Sequence, residues 1–379
     1  MAPPSLGAMG PALRHVYVHV PFCPTICPFC DFHVLERRAG VVTEYLDRLD
    51  AEAALMAERF DLSTIETVYV GGGTPSYLRS SEMARLVEII RCRVGWATRE
   101  ATLEVHPSTA TPERAAEWVA LGFTRLSVGV QSFDDAVLTT LGRPHDAASG
   151  RAAVAACVAT GAVTSLDLIT AVPGQDVVAD LHAAVELGVD HISAYTLTIE
   201  PDTPFARDGV EVSAQAELDA LHSADSVLGA AGYRRYEVSN HARPGCESVH
   251  NQAYWRNRHW LGLGPSASSH LPVIGSSDAV RSMRHQNAPL DRWLRGDAGE
   301  SETRDAEELL ADAMLCGLRM LRGVDLAEVI EQTGLDPLVH HRDDIAGLVD
   351  RGLVVVGDAR LRATPAGLVI LDQVAAVFV

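Results

Sequence analysis

The sequence predicts an α/β protein: an open barrel of six strand–helix units, followed by a smaller α+β domain. Three observations predict it. Between residues 15 and 231, short β-branched apolar runs alternate with longer stretches of helical periodicity. Glycine-rich or polar residues recur where those runs finish. After Ser301 the pattern changes to a long amphipathic stretch and two short apolar runs.

The first run, 15–20, reads His-Val-Tyr-Val-His-Val; the others span 65–71, 101–105, 124–130, 163–170 and 190–198. Helical segments lie near 41–60, 80–95, 112–121, 147–160 and 177–188, with another at 213–231. Strands that alternate with helices pair in parallel through right-handed crossovers. The result is a partial (β/α)6 barrel, smaller than the eightfold TIM type. Residues 1–14 read as a tail, 15–270 as the barrel with an extension, and the polar stretch 271–300 as a connector. In 301–379 a long helix from Asp305 to Arg322 precedes the segment Val324–Ile330 and a helix at His341–Arg351. Strands near 353–356 and 360–363 and a final helix after Thr364-Pro-Ala-Gly complete it. Helices followed by a small hairpin predict a winged-helix-like domain, expected to pack on the barrel and partly close its mouth.

Composition excludes several functions. The net charge is −19 and no residue is lysine, so every basic side chain counted is arginine. Lysine Schiff-base chemistry and lysine-dependent phosphate loops are therefore absent. Nucleic-acid binding through a basic surface is not expected, in the C-terminal domain either. The seven cysteines do not form a disulfide framework: Cys92, Cys157, Cys246 and Cys316 are scattered. The start of the chain lacks a signal peptide's apolar run, and no 18-residue apolar stretch occurs. A reducing cytoplasm is the expected compartment.

Cys23, Cys27 and Cys30 stand together as C-x3-C-x2-C, just after the first strand. Three thiolates hold three irons of a 4Fe–4S cubane and leave the fourth open. An open iron on a low-potential cluster suits chelation and reductive cleavage of S-adenosylmethionine (SAM) to a 5′-deoxyadenosyl radical. A structural zinc site would close with four ligands, usually in paired groups. The other strand ends supply Gly71-Gly72-Gly73-Thr74-Pro75, Glu104, Gln131-Ser132 and Asp167. In a parallel barrel the carboxyl ends of strands converge on one mouth. A glycine run alone is more often a flexible turn, but after a strand it lets backbone groups approach a ligand. Glu104 and Asp167 are acceptors for the ammonium and ribose of SAM, or else buried paired carboxylates. Arg143 is a partner for the methionine carboxylate, or else a surface arginine at a helix start.

The cysteine spacing resembles that of the radical SAM superfamily. Tyr-Val-His-Val-Pro-Phe-Cys-x3-Cys-x2-Cys-Asp-Phe, Gly-Gly-Gly-Thr-Pro-Ser, Gly-Val-Gln-Ser-Phe and Tyr236-Glu-Val-Ser-Asn are similar to segments of the oxygen-independent coproporphyrinogen III oxidase family. The likeness covers roughly residues 15 to 375 and is greater to the HemW branch, the heme chaperones. It implies that the cysteines hold the cluster and that Tyr17, Phe29, Gly72, Gly73, Thr74, Glu104, Gln131, Arg143 and Asp167 surround SAM. The porphyrinogen-oxidising branch has a further cysteine two residues after the third, where this chain has Phe32. His250-Asn251-Gln-Ala-Tyr254-Trp255 resembles the HNxxYW signature used for heme, which implies His250 as a heme ligand. A histidine that only hydrogen-bonds a loop is the simpler alternative.

Two departures are notable. Ala171-Val172-Pro173 stands where the family has Gly-Leu-Pro, and Pro265-Ser-Ala-Ser-Ser-His270 replaces a stretch rich in glycine and alanine. Both segments are expected near the substrate cavity. The resemblance thus implies heme binding and transfer to an acceptor protein, with flavodoxin or ferredoxin as electron donor. The alternatives are radical methylation or cyclopropanation of a specialised metabolite, and porphyrinogen oxidation.

Overall fold

The computed structural model describes residues 11–30, 33–37, 40–273 and 281–379. Phe32, the first ten residues of the predicted tail and positions 274–280 of the predicted connector lie outside them. Six parallel strands pair in sequence order: β1 His15–Val20, β2 Thr67–Gly72, β3 Glu100–Val105, β4 Arg125–Gln131, β5 Val163–Thr170 and β6 His191–Thr196. Leu261–Leu263 extends the β1 edge in parallel, and two short antiparallel strands, Asn240–Ala242 and Arg234–Arg235, extend the β6 edge. The order is linear, so the barrel is open.

The crossover helices are α1 Val41–Arg59, α2 Ser80–Arg93, α3 Pro112–Ala120, α4 Ala147–Val158 and α5 Val177–Glu186; α6 Ala214–Ala230 follows β6. Side-chain oxygens start several of them. Asp146, Asp176 and Ser213 accept from the amides of Ser149, Ala179 and Ala216 and satisfy donors that a helix start would leave bare.

Alternation along the strands separates core from lumen. In β1, Val16, Val18 and Val20 are wholly buried among the helices, as are Leu126, Val128 and Val130 of β4. The intervening positions face the barrel axis and are polar or small. Register aligns Tyr17 with Tyr69 and Tyr69 with Thr102, and across the other strands Glu104, Ser127 and Ser165 in turn with their neighbours Ser127, Ser165 and His191. Strands of a closed, filled barrel carry branched apolar residues inside. This lumen carries hydroxyls, carboxyls and guanidinium groups instead.

Residues 271–300 are more than a connector. Ser268–Pro272, Ser282–Gln286 and Glu300–Arg304 form an antiparallel meander. Within it, the short helix Leu290–Leu294 places Trp293 in the main core, 5.6 Å from Tyr45. The Trp293 indole donates to the buried Glu52 of α1 at 3.2 Å. Polar residues such as Arg284, His285 and Glu302 occupy the strands, so no apolar period marks them.

Helix α7, Val249–Trp255, plugs the amino ends of the strands. The Glu100 carboxylate accepts from the amides of Val249 and His250 and from the Ser248 hydroxyl. Arg125 pairs with Glu100 at 2.9 Å and donates to the carbonyls of Cys246 and Glu247. The C-terminal domain docks beside this plug, with its own core around Leu310, Met314, Leu348 and Leu361. Its helices Ala306–Gly317, Leu326–Thr333 and Arg342–Asp350 precede the hairpin Val354–Gly357/Arg360–Ala363, which Val324–Asp325 joins as a third strand. Glu328 of this domain bonds Arg256 and Arg258, and Arg319 lies over Trp255. The domain therefore sits at the end opposite the mouth that it was expected to close; none of its residues lines the lumen.

Candidate functional site

A cavity of about 540 Å³ occupies the barrel from the cysteine loop down to Ser248 and Asn251. Cys23, Cys27 and Cys30 line its upper end with Phe29, Gly72, Gly73, Thr74, Glu104, Gln131, Arg143 and Asp167. Eleven of the thirteen positions expected from the sequence thus share one space. Tyr17 and His250 do not line it.

The loop is tied to the strand ends. The Cys30 amide donates to the Cys27 carbonyl (3.1 Å), the Thr74 hydroxyl lies 3.5 Å from the Cys23 sulfur, and Arg143 Nη1 lies 3.4 Å from the Cys27 sulfur. Arg143 Nη2 donates to the Gly129 carbonyl, while its Nε is buried with no partner among the described residues. That orphaned donor beside the cysteines fits an anionic ligand group. Among the described residues no three His, Cys, Asp or Glu side chains converge on one metal ion. The thiolates of a cubane each take a separate iron, so they need not converge.

Glu104 is held from two sides: the Tyr69 hydroxyl donates at 2.8 Å and the Gly72 amide at 2.9 Å. A Cβ on Gly71 would meet the Glu104 carboxyl at 2.8 Å, so only glycine lets this carboxylate in. Burial, reinforced by the charge of Asp167, pushes the Glu104 carboxyl up to about 7. Burial likewise pushes Asp167 up to about 6, against the lowering effect of Ser193 and Ser127. Glu104, with no cation among the causes of its shift, and Asp167, which only Arg143 offsets by charge, are poised for a positively charged ligand. Gln131 has φ 74° at a register shift in β4, an uncommon backbone for a side chain and one that clusters at ligand sites.

Tyr17 lies a layer away, its hydroxyl 3.0 Å from His19 Nδ1 and its ring 6.1 Å from that of Tyr69. His250 is wholly buried; its Nδ1 lies 2.7 Å from the Thr67 hydroxyl and its Nε2 2.9 Å from the Tyr254 hydroxyl. Both ring nitrogens are occupied, so this conformation gives His250 the hydrogen-bonding role and not the expected open coordination position. Ala171, Val172 and Ser266 also lie off the cavity. The departures there supply no reason for a changed lumen.

The lower wall escaped the sequence reading. Thr102, Arg125, Ser127, Ser165, His191, Ser193 and Tyr195 line it. The signal was available: alternate strand positions such as Thr102, Ser127, Ser165 and Ser193 are polar, where buried parallel strands usually read as continuous apolar runs.

A family model for the radical SAM superfamily matches residues 17–187, and one for the HemN C-terminal domain matches 305–370. The heme chaperone HemW of Mycobacterium tuberculosis (strain CDC 1551 / Oshkosh) is 36% identical over 381 residues, which cover 95% of this chain and 96% of the relative. This chain belongs to the HemW family of radical SAM proteins. HemW of Escherichia coli (strain K12) is also 36% identical, over 84% of this chain and 86% of its own length. The mitochondrial radical S-adenosyl methionine domain-containing protein 1 of Bos taurus is 32% identical over 98% of this chain and 88% of its own. The solved structure of coproporphyrinogen III oxidase (HemN) from Escherichia coli superposes with a TM-score of 0.80 at 24% identity, covering 98% of this chain and 91% of that one. It shares the fold. HemW-family membership implies a 4Fe–4S cluster and SAM, and the donor set of three thiols, an unpaired Arg143 Nε and two carboxyls fits them.

Proposed function

We propose that this protein binds heme and passes it to an acceptor protein, with the cluster and SAM in a regulatory or redox role. Cys23, Cys27 and Cys30 hold the cluster in this reading. When bound, the cluster supplies the electron that SAM cleavage requires. Glu104 and Asp167 receive the cationic groups of SAM, Arg143 receives its carboxylate, and Gly72, Gly73, Thr74, Gln131 and Phe29 shape the surrounding wall, with Tyr17 behind it. Flavodoxin or ferredoxin is the proposed electron donor, and a reducing cytoplasm the proposed compartment. No helix among the described residues is long and apolar enough to cross a membrane.

One observation carries the reading. The HNxxYW segment forms the partition α7, whose Ser248 cap and Asn251 face the lumen while Val249, Gln252 and Ala253 line a separate cleft outside the barrel. A cluster-side event and a ligand below the barrel therefore share one short helix. Anaerobic heme titration of the purified protein tests it. Saturable binding at one heme per chain, followed by transfer to an apo-acceptor, is expected; no saturable binding would remove the carrier function.

A second reading is radical SAM catalysis on a small metabolite, and the space below the proposed SAM residues, lined by Thr102, Arg125, Ser127, Ser165 and His191, favours it. Stoichiometric 5′-deoxyadenosine formed only with a metabolite present would select it. Porphyrin formed from coproporphyrinogen would instead contradict the reading of Phe32.

A further inference from the structure

A cleft of about 360 Å³ opens beneath the barrel, between the strand starts and α7. Four arginines line it: Arg14 and Arg99 just before β1 and β3, Arg256 and Arg258 just after α7. On a chain of net charge −19 this is a local excess of positive charge. Two carboxylates offset part of it. Glu66 accepts from one Nη1 of each of Arg14 and Arg99 at 2.9 Å, and Glu328 bonds Arg256 at 2.7 Å and Arg258 at 2.6 Å. Four guanidinium groups against two carboxylates leave two positive charges. The arginine side chains are 40–58% exposed, so the N–H groups that Glu66 and Glu328 do not use are open to a ligand.

His15, only 7% exposed, lies in the wall of the same cleft. The hydrogen bonds behind it fix which of its nitrogens carries the proton. The Tyr254 hydroxyl has one hydrogen-bond partner among the described residues, His250 Nε2 at 2.9 Å, so its proton goes there. His250 then carries its hydrogen on Nδ1 and donates to the Thr67 oxygen at 2.7 Å. The Thr67 hydroxyl proton is left for His15 Nδ1, at 2.9 Å. His15 is therefore the tautomer with hydrogen on Nε2, and that N–H has no partner among the described residues. Burial holds both imidazoles neutral, with the pKa lowered to about 4 for His15 and about 3 for His250. The result is an oriented N–H donor, nine-tenths buried, in the wall of an arginine cluster.

We propose that this cleft binds the phosphate group of a small phosphate monoester, with His15 Nε2–H and the arginine N–H groups as donors. Charge selects the group. A phosphate monoester carries about two negative charges at neutral pH, which matches the surplus, where a carboxylate carries one. Hydrogen bonding selects it as well: guanidinium forks and an imidazole N–H need acceptor oxygens, and phosphate offers several at once. Size favours an ester over the free ion. The cleft holds on the order of ten times the ~30 Å³ share of one water, and Val249, Ala253 and the Gln252 amide add wall for an organic remainder. The inference is independent of heme carriage, and its test is read without heme.

Isothermal titration calorimetry of the full-length protein tests it. The probes are phenyl phosphate, inorganic phosphate and acetate; the variants are Arg14→Ala/Arg99→Ala and His15→Gln. One phenyl phosphate per chain is expected to bind saturably, with inorganic phosphate several-fold weaker and acetate at least tenfold weaker. The double arginine variant removes only exposed side chains and is expected to lose at least tenfold in affinity. His15→Gln is expected to lose several-fold. Because that variant alters a buried position, ¹⁵N resonance of the His15 imidazole in the unaltered protein gives a second reading. Hydrogen on Nε2 is expected, with the Nε2 signal shifting when phenyl phosphate is added. Absence of saturable binding overturns the proposal, and so does undiminished affinity in the double arginine variant, which would put the ligand elsewhere. Hydrogen on His15 Nδ1 overturns the donor assignment. Acetate binding as tightly as phosphate overturns the choice of a phosphate group, and inorganic phosphate binding as tightly as phenyl phosphate overturns the choice of an ester.

Discussion

Glu104 shows how one side chain can serve ligand binding at the expense of stability. Its carboxyl titrates near 4.5 in the unfolded chain and at about 7 in the fold. A raised folded value means that the native state holds the proton more tightly. The penalty is absent below pH 4.5, grows between 4.5 and 7, and is complete above 7, on the order of 3 kcal/mol. Glu104→Gln is therefore expected to stabilise the ligand-free protein at pH 8 and to change it little at pH 4, while weakening SAM binding at least tenfold. Denaturant unfolding at both pH values and a SAM titration check this. Ala171 and Ser266 carry strain of another kind, with φ of 61° and 55°. Both lie in the two segments that depart from the expected family pattern, and their left-handed backbone suits glycine. Each replacement by glycine should stabilise by about 0.5–1 kcal/mol, seen as a shifted unfolding midpoint with an unchanged m-value.

Among the elements, the barrel strands and their crossover helices were readable because period-two and helical patterns are long and sharply bounded. The polar meander at 268–304 was not, since its strands carry no apolar stripe. The position of the C-terminal domain was not either. Surface charges such as Glu328 and Arg256 reveal an interface only once the fold brings together positions 72 residues apart. The Glu100–Arg125 pair joins three levels of this organisation: two strand starts, the lumen floor and the α7 cap. Its side chains are 6% and 5% exposed. Glu100→Ala strands a buried guanidinium and frees the amides of Val249 and His250, and should cost about 3–5 kcal/mol. Loss of the α7 signals in hydrogen exchange, ahead of those of the strands, would locate that cost. An unfolding free energy within 1 kcal/mol of wild type would show that the pair does not hold the cap, about the size of a surface change.

At the scale of the whole molecule, the upper half of the site was legible and the lower half was not. Cysteine spacing and strand-end residues announce themselves because each is chemically unusual for its position. His250 illustrates the opposite case: its motif is conspicuous, yet whether its imidazole is open depends on Thr67 and Tyr254, one of them 183 positions away. The lumen joins these parts, with the cluster loop at one end and α7 at the other. The foundation of the proposed function is three-thiolate ligation with one iron corner free. Anaerobic reconstitution followed by electron paramagnetic resonance of the reduced protein, with and without SAM, tests that foundation most directly. One 4Fe–4S cluster per chain is expected, with a spectrum that shifts when SAM is added and a signal that is lost in Cys23→Ala, Cys27→Ala and Cys30→Ala alike. Zinc in place of iron, or a cluster spectrum indifferent to SAM, would contradict it.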